Sequence, residues 1–238
     1  MDLVNKTIVV TGASDGIGKQ VALRLANDKV NVLLLGRNVK RLKAVQTEIE
    51  KRGSTAVWYV CDLNKINEIK KTVEKISTKY RVIDGLINVA GVWQKLEKLE
   101  NVPDQEIIDV LQTNLTGLIL LTKHMTTLLH RAKEAVIVNI SSRSGYSAQA
   151  GQSVYTASKY GVRGFTEVIQ QDLKDSHIRV AGVYQGGTNT KMFEKAGEKW
   201  PEERYSSFIP PKELAEIVAF MISRPKHVWL PEIRIENR

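Results

Sequence analysis

This chain of 238 residues has a single cysteine, Cys61. No disulfide can form within it, which fits a reducing compartment. Cys61 lies in the apolar run AVWYVCDL and reads as a small buried hydrophobe. No run reaches the ~18 apolar residues of a membrane span. The N-terminus enters a strand-like segment at Thr7 without the basic region and apolar stretch of a signal peptide. A cytoplasmic protein with no membrane partner is expected. Linkers, internal repeats and low-complexity segments are also lacking, so one domain over residues 1–238 is expected. Acidic residues are the minority, 26 against 35 basic ones, for a net charge of +9. The lysines are scattered along helical surfaces, as in KRLKAVQTEIEKRG, rather than gathered on one face. Nucleic acid is therefore not an expected partner. A solvated basic surface is the plain reading; it also suits an anionic cofactor or an acidic carrier. No metal site is expected.

What is present is an alternation. Apolar, β-branched runs at Thr7–Thr11, Val30–Gly36, Ala56–Asp62, Ile83–Ala90, Ala135–Ser141, Arg179–Tyr184 and Glu232–Ile235 predict strands. Between them, helical periodicity predicts helices at Ile17–Asn27, Val39–Arg52, Lys65–Tyr80, Asp104–Ala132, Ser153–Lys174 and Lys212–Ile222. Strand and helix in strict alternation imply an α/β protein with a parallel sheet covered on both faces. Hydrophobic residues make up 42% of the chain, ordinary for one globular core of this size. The segment Thr190–Pro211 is irregular and carries Met192, Phe193, Trp200, Tyr205 and Phe208. Such a long segment in a compact domain is usually functional.

Two stretches carry chemistry. The first is TGASDGIG, Thr11 to Gly18, between the first strand and the first helix. Gly12, Gly16 and Gly18 follow a G-x-x-x-G-x-G spacing. Glycines allow a tight turn and close backbone approach, and a helix N-terminus attracts phosphate. About twenty residues on, an acidic side chain would suit the ribose hydroxyls of NAD. Here the second strand ends in Arg37, whose guanidinium suits a phosphate and so favours NADP; NAD is the lesser expectation. Arg37 also reads as a surface residue opening a helix, and Asp15 beside Gly16 pulls the other way. The second stretch runs from Asn139 to Lys159, NISSRSGYSAQAGQSVYTASK. A strand end delivers Ser142, and a helix delivers Tyr155 and Lys159, four apart and so on one face. A lysine ammonium within a few Å favours the phenolate and lowers a tyrosine pKa by roughly 1–3 units. Such a tyrosine is a usable general acid or base, and a neighbouring serine can steady the oxygen where charge develops. Tyr and Lys at this spacing also occur by chance on solvated helices; the serine and the glycine loop turn the balance.

Ser142 with Tyr155-x-x-x-Lys159, together with the glycine loop, resembles the signature of the short-chain dehydrogenase/reductase family across nearly the whole chain. The resemblance implies a Rossmann-type, doubly wound, seven-stranded sheet that binds a dinucleotide at its switch point. It implies an NAD(P)-dependent oxidoreductase acting on a small carbonyl or alcohol substrate, with Asn114, Ser142, Tyr155 and Lys159 catalytic. In relatives the helix asparagine holds a water in a proton relay to the lysine; Asn114 also reads as bonding a main-chain carbonyl and kinking its helix. The resemblance places the cofactor against Gly12, Ser14, Asp15, Gly16, Ile17 and Gly18 of the loop, and against Arg37. It adds Asp62 and Leu63, where the Asp meets adenine, although Asp62 also suits a helix N-cap. Asn88, Ala90 and Gly91 of Asn-Val-Ala-Gly, with Val89 departing from the family's second Asn, complete the adenosine side. Tyr155, Lys159, Thr188 and Thr190 face the nicotinamide half. Gln185 replaces the proline usual before Gly186, which leaves that loop less rigid. The resemblance also makes 190–211 a substrate lid and implies a homodimer or homotetramer through the Asp104–Ala132 and Ser153–Lys174 helices, whose apolar residues cover more than one face. A non-catalytic dinucleotide-binding protein on the same fold is the alternative; the complete Asn-Ser-Tyr-Lys set argues against it.

Overall fold

The structure, a computed structural model, is described here for residues 1–237. Seven strands form one parallel sheet in the order β3-β2-β1-β4-β5-β6-β7. They are β1 Thr7–Thr11, β2 Asn31–Gly36, β3 Ala56–Val60, β4 Gly85–Asn88, β5 Ala135–Ile140, β6 Ile178–Gln185 and β7 Glu232–Ile235. Successive residues of a strand point to opposite faces. Ile8, Val10, Val32 and Leu34 therefore join one core, and Val9, Leu33 and Leu35 the other. The first core is closed by α1 Gly16–Asn27, α2 Val39–Glu50 and α9 Pro211–Ser223. The second is closed by α3 Ile66–Lys79 and α5 Gly117–Leu129, with α6 Ser153–Asp172 packed beside them. This is the doubly wound α/β arrangement expected. No described helix is long and apolar enough to cross a membrane.

The expected strand and helix bounds move by at most a few residues, and β1 and β7 coincide with their expected ranges. Asp104–Ala132 is corrected. It is not one helix but α4 Asp104–Leu111, a π turn Gln112–Thr116 and α5. A π turn holds one extra residue and rotates what it carries, here Asn114. The segment 190–211 holds two short helices, α7 Met192–Lys195 and α8 Glu202–Ser206.

β1 and β4 are neighbours at the point where strand order reverses. Connections leave them toward opposite faces, so their C-terminal ends diverge and leave a crevice, the usual ligand position in such a sheet. A polar network ties down the floor beside it. Asn88 and Asn139 face each other in register on β4 and β5. The Asn88 amide donates to Asn139 Oδ1 at 2.8 Å and Thr122 Oγ1 at 3.1 Å, and Asn139 donates to Thr166 at 2.9 Å. Two strands, α5 and α6 are thereby held in one registration, as a buried polar network can specify a core.

Candidate active site

The crevice is a cavity of about 600 Å³ over the Thr11–Gly18 turn. Gly12 has φ +64, and a Cβ there would stand 3.0 Å from Ala90 Cα. A Cβ on Gly18 would lie 2.4 Å from the carbonyl oxygen of Gly12. Side chains at these positions would fill the cradle and separate β1 from α1, so glycine is required for the turn rather than for flexibility. The cradle suits a phosphate-bearing ligand at the N-terminus of α1. Of the residues expected to meet a cofactor, Gly12, Ser14, Asp15, Gly16, Ile17, Gly18, Arg37, Asp62, Leu63, Ala90, Gly91 and Thr190 line this cavity.

Four of the residues expected to meet a cofactor, Asn88, Tyr155, Lys159 and Thr188, do not line this cavity. Asn88 points into the core network and does not line the cavity. Thr188 lines the adjoining cavity, bonded to Gln185. Lys159 lies behind both walls, 5% exposed, its ammonium donating to the Ile140 carbonyl at 3.3 Å. Asp62 is no helix cap: its carboxylate accepts from the Asn64 N–H in a turn ahead of α3, whose N-cap is Lys65.

Charge is arranged unevenly around the mouth. Arg37 is exposed on the wall and pairs with no carboxylate among the described residues. Asp15 caps α1 by accepting from the Gly16 N–H at 2.9 Å. It also pairs with Arg41 and with Lys195, each at 2.8 Å. Burial pushes its carboxyl up, but the Lys195 and Gly16 hydrogen bonds and the two cations together hold it below the usual range. The conflict between Arg37 and Asp15 read from the sequence is thus resolved locally, because the Asp15 charge is matched inside the protein. Arg41 and Lys195 were not legible as site residues. Arg41 looked like one more cation on a helix surface, and Lys195 sits 180 residues from its partner.

A second cavity of about 210 Å³ adjoins the first and shares Ile17, Trp93, Thr190 and Met192 with it. Ser142 and Tyr155 stand on its wall. Ser142 follows β5, and its hydroxyl accepts from the Ser144 N–H at 3.1 Å. Much of the remaining lining is aromatic: Trp93 packs on Tyr155 at 4.5 Å between centroids and on Phe193 at 4.9 Å, and Phe193 meets Phe208 at 5.5 Å. Two polar residues lining this cavity are already engaged. Arg143 pairs with Glu236 at 3.6 Å, and Gln152 bonds Ser144 and Gln149.

The expected depression of the tyrosine is not found. Burial pushes the Tyr155 phenol up to about 12, against the pull of its hydrogen bond with Ser142. Burial also pushes the Lys159 ammonium down to about 8. Lys159 Nζ lies 5.7 Å from the centre of the Tyr155 ring. At neutral pH the pair is a protonated phenol beside a cation that has given up much of its hydration. Asn114 Nδ2 donates to the Val92 carbonyl at 2.9 Å and Oδ1 accepts from the Val92 N–H at 2.8 Å. Its third bond, at 3.2 Å, goes to Ser158, whose hydroxyl donates to the Tyr155 carbonyl at 2.6 Å. The helix asparagine braces main chain on both sides of the site, which is the other role read for it.

Comparison with known proteins agrees with this geometry. A family model described as short chain dehydrogenase matches residues 6–200. A 3-oxoacyl-acyl-carrier-protein reductase of Thermotoga maritima is 32% identical over 228 residues, 94% of this chain and 92% of its own. An NADP-dependent 3-hydroxy acid dehydrogenase of Schizosaccharomyces pombe is 27% identical over 97% of this chain and 92% of its own. A short chain dehydrogenase of Escherichia coli CFT073, solved with NADPH, superposes with a TM-score of 0.87 at 27% identity, covering 99% of this chain and 98% of that one. The chain therefore belongs to the short chain dehydrogenase family.

Proposed function

We propose that this enzyme is an NADPH-dependent oxidoreductase that reduces a small carbonyl compound to a secondary alcohol. The observation that carries the reading is that Ser142 and Tyr155 stand together on the wall of a cavity that adjoins the glycine-floored crevice. Arg37, with Arg41 and Lys195 beside it, holds the 2′-phosphate; the Gly12–Gly18 turn holds the pyrophosphate, and Asp62 faces adenine. The NADPH bound to the Escherichia coli relative supports that choice of cofactor. Bound there, the nicotinamide supplies the hydride.

The chain's own residues handle the proton. With a pKa near 12, Tyr155 keeps its proton until a carbonyl oxygen becoming an alkoxide takes it. Ser142 hydrogen-bonds the same oxygen and orients it. Lys159, at about 8, is mostly cationic at neutral pH. The phenolate left by proton transfer thus forms beside a buried positive charge, where opposite charges favour each other strongly. Asn114 acts by bracing Val92 and Ser158 on either side.

The aromatic wall and the engaged state of Arg143 and Gln152 favour a largely apolar substrate under a lid formed by 190–211. A cavity of ~150 Å³ is enough for benzene, so about 210 Å³ suits a compact ring-bearing or branched carbonyl. A panel of carbonyl compounds, with NADPH absorbance as the readout, tests the reading. Compact aryl and cyclic ketones are expected to be reduced; activity confined to polar, charged carbonyls contradicts it.

A homodimer or homotetramer is proposed as the working assembly. Ile108 on α4 and Tyr160 and Val168 on α6 are 57%, 44% and 58% exposed, along the two helices expected to pair. Sedimentation at micromolar concentration is expected to show the oligomer, and a monomer contradicts it.

A further inference from the structure

We infer that Gln94 is a positioning residue for Tyr155, acting as a helix cap supplied from a distant loop; this rests on the proposed role of Tyr155. The first amide groups of any α-helix lack partners within the helix and need an acceptor from elsewhere. The N-cap residue of α6, Gln152, offers none, because its side chain is committed to Ser144 and Gln149. The acceptor comes from 60 residues upstream. Gln94 Oε1 accepts from the Val154 N–H at 2.9 Å and from the Tyr155 N–H at 3.0 Å. Gln94 is fully buried, so no solvent competes for that oxygen.

Tyr155 stands in the first turn of α6, the part of a helix that frays most readily. Lys159, one turn on, is anchored separately. Its carbonyl accepts from the Ser141 hydroxyl at 3.2 Å, and its ammonium bonds Ile140. The lysine end is therefore pinned to β5, whereas the tyrosine end is pinned by Gln94. Trp93, the preceding residue, packs on the Tyr155 ring. One dipeptide thus grips the tyrosine twice, by ring and by backbone. Its own place is set by Asn114 through both polar groups of Val92. A misplacement of ~1 Å can cost ~100-fold in rate, and a phenol that must reach both Ser142 and the substrate oxygen is sensitive in that way.

Gln94→Met keeps the bulk and removes the acceptor; Gln94→Glu keeps an acceptor that a helix N-terminus favours. Hydrogen exchange is expected to show the Val154 and Tyr155 amides faster in Gln94→Met, with the rest of α6 unchanged, and protected in Gln94→Glu. The rate constant kcat falls about 10- to 100-fold in Gln94→Met, KM and NADPH affinity stay as they were, and Gln94→Glu recovers most of the rate. In a Tyr155→Phe background the Gln94→Met change lowers the residual rate no further, because its effect passes through that hydroxyl. Unchanged amide exchange in Gln94→Met overturns the inference, as does equal loss in the Met and Glu variants, or an added loss in the Tyr155→Phe background. If the wild type reduces no carbonyl at all, the proposed function fails, and the exchange measurement still decides the cap.

Discussion

Tyr155→Phe slows single-turnover oxidation of bound NADPH by about 10²–10⁴, the usual worth of a general acid, and leaves cofactor affinity nearly unchanged. The ring stays packed against Trp93, and Tyr155 does not line the larger cavity. Lys159→Met lowers the same rate at least as far, and the double variant loses little more, because the two groups act as one unit. Lys159→Met has a second, opposite effect. Burial depresses the ammonium from 10.5 to about 8, so the unfolded chain binds the extra proton between those values. The folded state carries the full penalty below pH 8 and sheds it as pH rises to 10.5. The unliganded wild type therefore gains stability over that window, whereas Lys159→Met lacks the rise and is the more stable protein at pH 7. At 1.4 kcal/mol per unit the gain is on the order of 3 kcal/mol at most, several degrees in Tm. Activity and stability move in opposite directions at one residue, as expected where a functional group is held in a costly environment. Thermal melts from pH 7 to 10.5 check it; a destabilised Lys159→Met contradicts it.

Arg37→Asp is expected to lower NADPH affinity about 10- to 100-fold while leaving NADH binding intact or improved, since a hydrogen bond to a charged group contributes roughly 1.5–3 kcal/mol. The lower end is the sounder expectation at moderate salt, because Arg37 is exposed and screened. Arg41 and Lys195 remain near the same phosphate, although part of their charge is answered by Asp15. Asp15→Asn should then raise NADPH affinity by freeing both. Cofactor titrations at two salt concentrations measure both effects. Equal binding of NADPH and NADH by the wild type contradicts the assignment of Arg37.

Much of this architecture was legible in the sequence for a simple reason. A strand buried on both faces, such as β1, is a continuous apolar run, whereas the edge strand β7 shows as alternating Glu-Ile-Arg-Ile, and both match their expected ranges. The glycine turn and the Ser142–Tyr155–Lys159 spacing are local patterns, and local patterns survive in one dimension. The π turn escaped because an extra residue in a helix leaves its apolar periodicity nearly intact; only the structure shows Asn114 swung onto Val92. That the Asn88 side chain turns to the core was not legible, because a residue at a strand end faces either the crevice or the core, and its partners Asn139 and Thr122 come from other elements. The tyrosine pKa was misjudged for a related reason. Spacing puts a lysine one turn away, but it does not say that both groups are buried, and burial dominates here. Gln94 and Lys195 act entirely through long-range contacts and belong to no motif.

A hydride is expected to reach a carbonyl carbon in the cavity walled by Ser142 and Tyr155. The direct measurement uses NADPH carrying deuterium at the transferred position of the nicotinamide, with the best ketone of the panel, followed by mass and NMR analysis of the product. One deuterium is expected on the carbinol carbon, delivered to a single face, in wild type and, far more slowly, in Tyr155→Phe. An alcohol without deuterium on that carbon, or no alcohol from any carbonyl tested with NADPH bound, contradicts it and leaves a dinucleotide-binding protein without this chemistry.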